Sequence, residues 1–188
     1  MNIRIELLER LERELQALQV RTYRASDAGE LRETLAGICG PYDRSAVACE
    51  DRPFLKELDL GFPVFSAREK DTWRAEHWRS MQEVQVGLSG ADFALADTGT
   101  LILFSGNAGG RWLSLAPPVH IALLPADRIL PGLDDFLDRF PAGDSLLSLG
   151  SAVTFVSGAS RTADIELNLV HGAHGPKELH VVTLLFAT

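Results

Sequence analysis

This sequence predicts an α/β fold: a mostly parallel sheet with helices on both faces and one antiparallel hairpin. Three observations carry that expectation. Amphipathic helical stretches alternate with short apolar runs through the front half of the chain, the order that strand–helix–strand units produce. The run "VHIALLPA" (119–126) is almost continuously apolar, as a strand covered on both faces is, and "SAVTFVSG" (151–158) reads as another buried strand. In "ADFALADTGTLILF" an alternating stretch meets an apolar one across Thr98-Gly99, which reads as two strands joined by a tight turn. A chain of 188 residues suits a single domain. That size buries roughly two-thirds of the unfolded surface without disulfide or metal staples.

Taken in order, residues 2–19 read as a helix. Ile3, Leu7, Leu8, Leu11, Leu15 and Leu18 recur at steps of three and four, with Glu and Arg between them, so one stripe is apolar. Residues 1–20 form an N-terminal helix and 21–188 the α/β domain. The helix packs either on its own domain or on a partner. Ser26-Asp27 opens a second helix running to about Ile38; Ser26 or Asp27 can cap it, with Glu30 three residues after Asp27. Gly40-Pro41 stops it. "SAVAC" (45–49) is a short buried strand, 51–58 a short helix, and "PVFSA" another short strand. "EKDTWRAEHWRSMQ" (69–82) is helical, with Trp73, His77 and Met81 on one stripe. Pro131 to Phe140 is a short helix with Pro in its first turn. "SRTADIELNLVHG" reads as a capped helical turn or short helix, and "ELHVVTLLF" closes the chain as a strand.

Composition excludes several function classes. Hydrophobic residues are 46% and charged residues 23% of the chain, close to the globular average. The net charge is −8, so nucleic acid and anionic membrane are not expected as main partners, since both need a basic footprint. The cations are 15 Arg against 3 Lys, and Arg is the residue that grips carboxylates and phosphates with a fork. No apolar run approaches the ~20 residues of a membrane span. The charged start "MNIRIELLERLEREL" lacks a signal-peptide core, so a cytoplasmic location is expected. The two cysteines, Cys39 and Cys49, form no Cys-x-x-Cys pair. They cannot supply the four thiolates of an iron–sulfur cluster or a zinc site.

Three segments carry candidate chemistry. Thr98-Gly99-Thr100 sets hydroxyls and a glycine amide at a strand end. It is either a hairpin turn or a cradle for an anion. In Ser105-Gly106-Asn107-Ala108-Gly109-Gly110-Arg111, the glycines can expose successive amides, and Arg111 offers a fork to a carboxylate or phosphate. The loop lacks the Lys-Ser/Thr of a P-loop and is not the Gly-x-Gly-x-x-Gly of a dinucleotide fold. Ser160-Arg161-Thr162 follows a strand, where open α/β sheets bind ligands. Ser160 and Thr162 can cap a helix there, Arg161 favours an anion near its start, and Asp164 is a candidate acid or base. His171 and His174 are three apart, but Gly172, Gly175 and Pro176 break a helix and no third ligand is near, so no metal is expected. His120, inside an apolar strand, reads as a core histidine.

The runs "VGLSGADFALADTGTLILFSG", "LSLAPPVHIALLPADRILPGLDD", "SRTADIE" and "HGPKELHVV" resemble the lactate utilization protein C family, also called the LUD domain, over about residues 80–186. The resemblance implies a Rossmann-like sheet similar to that of ribose-5-phosphate isomerase and the CoA transferases. It implies a cluster-free subunit of an assembly that oxidises L-lactate to pyruvate, no cofactor in this chain, and iron–sulfur clusters in partner proteins. Thr98, Gly99, Thr100, Arg161, Thr162 and Asp164 are its family-like positions, while the 105–111 loop matches only loosely. On this reading Thr98–Thr100, the loop with Gly106, Asn107, Gly109, Gly110 and Arg111, and Ser160–Thr162 converge on one cleft for a small carboxylate or phosphate. The alternative is a stand-alone enzyme on a sugar phosphate or acyl substrate.

Overall fold

The chain begins with helix α1 (Asn2–Ala17), strand β1 (Arg21–Ala25), helix α2 (Ala28–Cys39), β2 (Val47–Glu50), the short helix α3 (Pro53–Glu57) and β3 (Val64–Phe65). It continues through β4 (Val86–Gly90), β5 (Phe93–Leu95), β6 (Thr100–Phe104), the single turn α4 (Trp112–Leu115), β7 (Val119–Pro125), β8 (Ile129–Leu130) and α5 (Leu133–Leu137). The last strands are β9 (Val153–Val156), β10 (Arg161–Ala163), β11 (Leu169–His171) and β12 (Glu178–Leu184). These come from a computed structural model, which describes residues 2–65, 82–105, 112–140, 152–163, 169–171 and 175–186. The expected helix over 69–82 lies outside the described residues, Gln82 excepted.

Six strands form the main sheet in the order β1-β12-β7-β4-β2-β3, and every pairing in it is parallel. The longest register, Glu178↔Val119 to Leu184↔Pro125, joins β12 and β7 at the centre. Both strands are buried along their length, Glu178 excepted, because both faces are covered. Ile121 and Leu123 of β7 face one core with Leu31 and Leu35 of α2 and Leu55 of α3. Ala122 and Leu124 face the other, with Leu8, Leu11 and Leu15 of α1. The helix α1 therefore packs on its own domain, as its leucine spacing allows. An exposed Arg24–Glu12 fork ties it to β1. Helix α2 starts as its sequence predicts: Asp27 accepts hydrogen bonds from the amides of Gly29 and Glu30, and the Ser26 amide donates back to Glu30. No helix among the described residues is long and apolar enough to cross a membrane.

The structure departs from the sequence reading in three places. The β5–β6 hairpin is the middle of a separate four-stranded sheet, ordered β8-β5-β6-β9. The apolar β6 needs neighbours on both edges, and β9 pairs with it antiparallel. As an edge strand β9 is only partly buried, with Phe155 49% exposed. Second, β1 is a strand that the polar "RTYRA" conceals. Third, Arg161–Ala163, read from the sequence as part of a capped helical turn, is a strand that pairs antiparallel with Leu169–His171. An aromatic cluster of Phe93, Phe104, Phe136 and Phe140, with Phe136 and Phe140 centroids 5.1 Å apart, fastens α5 to the smaller sheet.

Candidate functional site

At the carboxyl ends of the parallel strands β2 and β4, three charged residues meet. Glu50 closes β2, Arg52 stands just before α3, and Asp92 lies in the link from β4 to β5. Glu50 and Arg52 are 6% and 8% exposed. Burying charge is costly unless it is paired, and each partner here is accounted for by a named contact. Asp92 takes the end of the guanidinium as a fork, with Nη1–Oδ1 at 2.7 Å and Nη2–Oδ2 at 3.2 Å. Its Oδ2 also accepts the Phe104 amide at 2.7 Å. Glu50 Oε2 accepts the Gly90 amide at 2.9 Å. Arg52 Nη2 reaches Glu50 Oε1 at 3.5 Å. Arg52 Nε lies 3.2 Å from Glu50 Oε2 but off the hydrogen-bond line, so this buried N–H has no acceptor. Glycine is required at position 90, because a Cβ there would sit 2.7 Å from the Phe54 ring and 2.9 Å from Arg52 Cδ.

The electrostatics follow from burial and from a shortage of cations. Burial pushes the Glu50 carboxyl above its usual range, and the Arg52 charge and Gly90 amide only partly pull it back. Burial also works against the Arg52 cation, but Glu50 and Asp92 outweigh it and hold its pKa above the ordinary value. With both carboxylates ionised, one cation serves two anions. Glu50 is thus the group placed to take up a proton. The arrangement offers a fixed cation, a carboxylate that holds it, and a carboxyl that exchanges a proton.

Of the candidate ligand-binding residues singled out from sequence, Thr98, Gly99, Thr100, Ser160, Arg161 and Thr162 are described, and the first three form one end of the smaller sheet. Thr98-Gly99-Thr100 is the β5–β6 turn. Thr98 Oγ1 donates to Thr100 Oγ1 at 2.9 Å, which pairs with Ser157 Oγ at 2.8 Å. Gly99 has φ +63°, and a Cβ there would lie 2.9 Å from the α1 backbone at Glu14 and Leu15. The turn therefore docks α1. The segment before Ser160 lies at the same end, since Val156 pairs with Leu101. The Ser160 amide is bonded to the Pro176 carbonyl. Arg161 and Thr162 sit in β10, paired with His171 and Val170. Ser105, which begins the glycine-rich loop, is past the other end of β6, about 17 Å from Thr100 at ~3.3 Å per residue. There Phe104 is tied to Asp92, and Ser105 Oγ accepts the Ala152 amide at 2.8 Å. Gly106, Asn107, Gly109, Gly110, Arg111 and Asp164 lie outside the described residues.

His120 is fully buried, with its Nε2 2.8 Å from Ser89 Oγ and its Nδ1 without a partner. At the amino ends of β1, β12 and β7, beside α2, lies a cleft of about 720 Å³ lined by Arg21, Tyr23, Glu33, Tyr42, Glu178 and His180. Tyr23 stacks on His180 there, with Tyr23 Oη 3.2 Å from His180 Nδ1. Glu178 stands between His180 and Arg21, at 3.5 and 3.0 Å. Open parallel sheets take ligands at their carboxyl ends, so the Glu50–Arg52–Asp92 group is the stronger site. Sequence reading passed it over. Its only signals were charges directly after apolar strands, in "SAVACEDR" and "VGLSGAD".

Comparison with known proteins adds the following. The LUD domain family model matches residues 8–184. The lactate utilization protein C of Geobacillus kaustophilus is 31% identical over 175 residues, covering 84% of this chain and 68% of that protein. The Halalkalibacterium halodurans protein of the same name is 40% identical over 96 residues, half of this chain and 42% of that protein. An uncharacterized Neisseria meningitidis protein is 38% identical over 125 residues, 65% of this chain and 51% of that protein. The match thus spans about half the length of these last two relatives. A crystal structure of a DUF162 family protein from Deinococcus radiodurans superposes with a TM-score of 0.71 at 25% identity, covering 96% of this chain and 98% of that one.

Proposed function

This chain belongs to the LUD domain family, and from that membership we propose that it serves lactate utilization as the cluster-free subunit of an iron–sulfur assembly oxidising L-lactate to pyruvate. The observation that carries the reading is likeness over most of the chain to proteins named lactate utilization protein C. In this assembly the two electrons that lactate loses pass to clusters held by partner proteins, in the cytoplasm. The thiol chemistry of this chain supports that division. It has two cysteines, both buried, and burial pushes the thiols up to about 11 at Cys39 and about 12 at Cys49. A cluster is held by thiolates, and by more of them than two. The small-anion function is assigned to the carboxyl end of the main sheet, where Arg52 is held.

The second reading, a stand-alone enzyme on a sugar phosphate or acyl substrate, draws on Glu50, a proton-exchanging carboxyl beside a fixed cation. It predicts turnover by the chain alone. Growth separates the two. A strain lacking the gene is expected to lose growth on L-lactate as sole carbon source and to regain it when the gene is returned. Unchanged growth overturns the lactate reading.

A further inference from the structure

We propose that Arg52 anchors a small-monocarboxylate site at the carboxyl end of the main sheet, in which a ligand carboxylate takes the place of Glu50 on the guanidinium. The choice of lactate and pyruvate as ligands rests on the lactate-utilization reading; the site itself rests on geometry.

An arginine has five N–H donors arranged as two forks. The Nη1/Nη2 fork is taken by Asp92, which is itself fixed by the Phe104 amide. The guanidinium is therefore positioned before any ligand arrives. The remaining Nε/Nη2 fork faces Glu50 and is badly filled. Its contacts are 3.5 Å from Nη2 and a misaligned 3.2 Å from Nε. Good charge-assisted pairs run at about 2.7–2.9 Å. The cause of the misfit is visible: Glu50 Oε2 is already committed to the Gly90 amide at 2.9 Å, so the carboxylate cannot turn to meet the fork. A free carboxylate has no such tether.

Charge decides how such a ligand enters. One cation already faces two carboxylates, so a third anion requires one of them to become neutral. Asp92 carries three hydrogen bonds from donors, and each of them uses its oxygens as acceptors. Glu50 takes the proton, and burial favours that. The balance is ligand carboxylate plus ionised Glu50 plus one proton, giving ligand on Arg52 beside a neutral Glu50. Among the described residues the groups facing Glu50 are Arg52, Asp92 and the Gly90 amide. Next along the chain, Asp51 is neutralised by Lys56 at 2.5 Å. A single leftover fork in a buried place suits one carboxylate; a dianionic phosphate brings more charge than one proton offsets.

The test is calorimetric titration of the full chain with pyruvate, L-lactate and inorganic phosphate at pH 6 and pH 8. Binding linked to one proton strengthens as pH falls, by at least about tenfold across this interval. Glu50→Gln keeps the shape and an acceptor for the Gly90 amide but cannot compete as a charge. It is expected to bind pyruvate at least about tenfold more tightly at pH 8 and to lose the pH dependence. Arg52→Lys keeps the charge and loses the fork, and is expected to weaken binding at least about tenfold. If Arg52→Lys does not fold, Glu50→Gln decides alone. Absence of carboxylate binding in both wild type and Glu50→Gln overturns the proposal. So does a Glu50→Gln variant with unchanged affinity and pH response, or phosphate bound as tightly as pyruvate. Pyruvate binding without a growth requirement refutes the lactate reading and leaves the site standing. A growth requirement without pyruvate binding does the reverse.

Discussion

Replacing Asp92 by Asn tests whether the buried charge group holds this end of the molecule together. Asp92 meets three donors and no acceptor: Arg52 Nη1 on Oδ1, and Arg52 Nη2 and the Phe104 amide on Oδ2. An asparagine has one oxygen and one NH2. If its oxygen serves Phe104 and Nη2, its NH2 points at Nη1, donor against donor. If it is turned over, its NH2 faces both Nη2 and the Phe104 amide. Neither orientation satisfies the site, and Arg52 is left with the poorly aligned Glu50 alone. Removing one member of a buried pair costs about 3–5 kcal/mol. For a domain of this size each kcal/mol lowers Tm by about 2–4 °C, so the expected drop is about 6–20 °C. Thermal unfolding followed by circular dichroism reads it directly. Glu57→Gln, an exposed change on α3, is the control and is expected to stay within about 0.5 kcal/mol. A drop under about 2 °C in Asp92→Asn, equal to the control, refutes the claim that Asp92 holds Arg52 and β6 together.

Three further predictions follow from other parts of the fold. Leu11 is fully buried on α1, so Leu11→Ala is expected to cost about 2–5 kcal/mol in urea unfolding; a cost below about 1 kcal/mol contradicts the docking of α1. Gly99→Ala forces a Cβ into a left-handed turn against α1 and is expected to lower the unfolding free energy in urea titration by more than about 1 kcal/mol. Gly37→Ala, in α2 with open space around it, is expected to raise stability by about 0.5–1 kcal/mol, and equal signs in the pair refute the reasoning. His120 has its pKa pushed down to about 4 by burial first and by nearby His180 second. The unfolded chain binds that proton near pH 6.5 and the folded chain only near 4. Stability from this group is therefore complete above about pH 6.5 and falls as pH drops toward 4, by about 3 kcal/mol. Urea unfolding at pH 7.5, 5.5 and 4.5 is expected to show this slope in the wild type and a shallower one in His120→Gln; parallel curves refute it.

Where one segment carried its own signal, the sequence was readable. The leucines of α1, the Asp27 cap of α2 and the apolar runs of β7 and β12 each announce an element, and burial on both faces explains their composition. What stayed hidden depends on pairing between distant residues. Strand β1 is polar because it is an edge, with Arg21 and Arg24 in contact with Glu178 and Glu12. The stretch after Ser160 carries cap residues, which hid that Arg161–Ala163 pairs as a strand with Leu169–His171. Thr98-Gly99-Thr100 was recognised as a turn or an anion cradle, and the contacts of Gly99 with α1 favour the turn. The Glu50–Arg52–Asp92 group was illegible because Arg52 and Asp92 stand 40 residues apart in the chain. Only the parallel pairing of β2 with β4 brings them side by side.

We propose above that this chain works as a non-redox member of a lactate-oxidising assembly. Lactate-dependent dye reduction by the iron–sulfur partner proteins, assayed with and without the purified chain, tests it most directly. Reduction is expected to require the chain and to rise with its concentration until the partners are saturated. Partners that reach the same rate without it refute the subunit role.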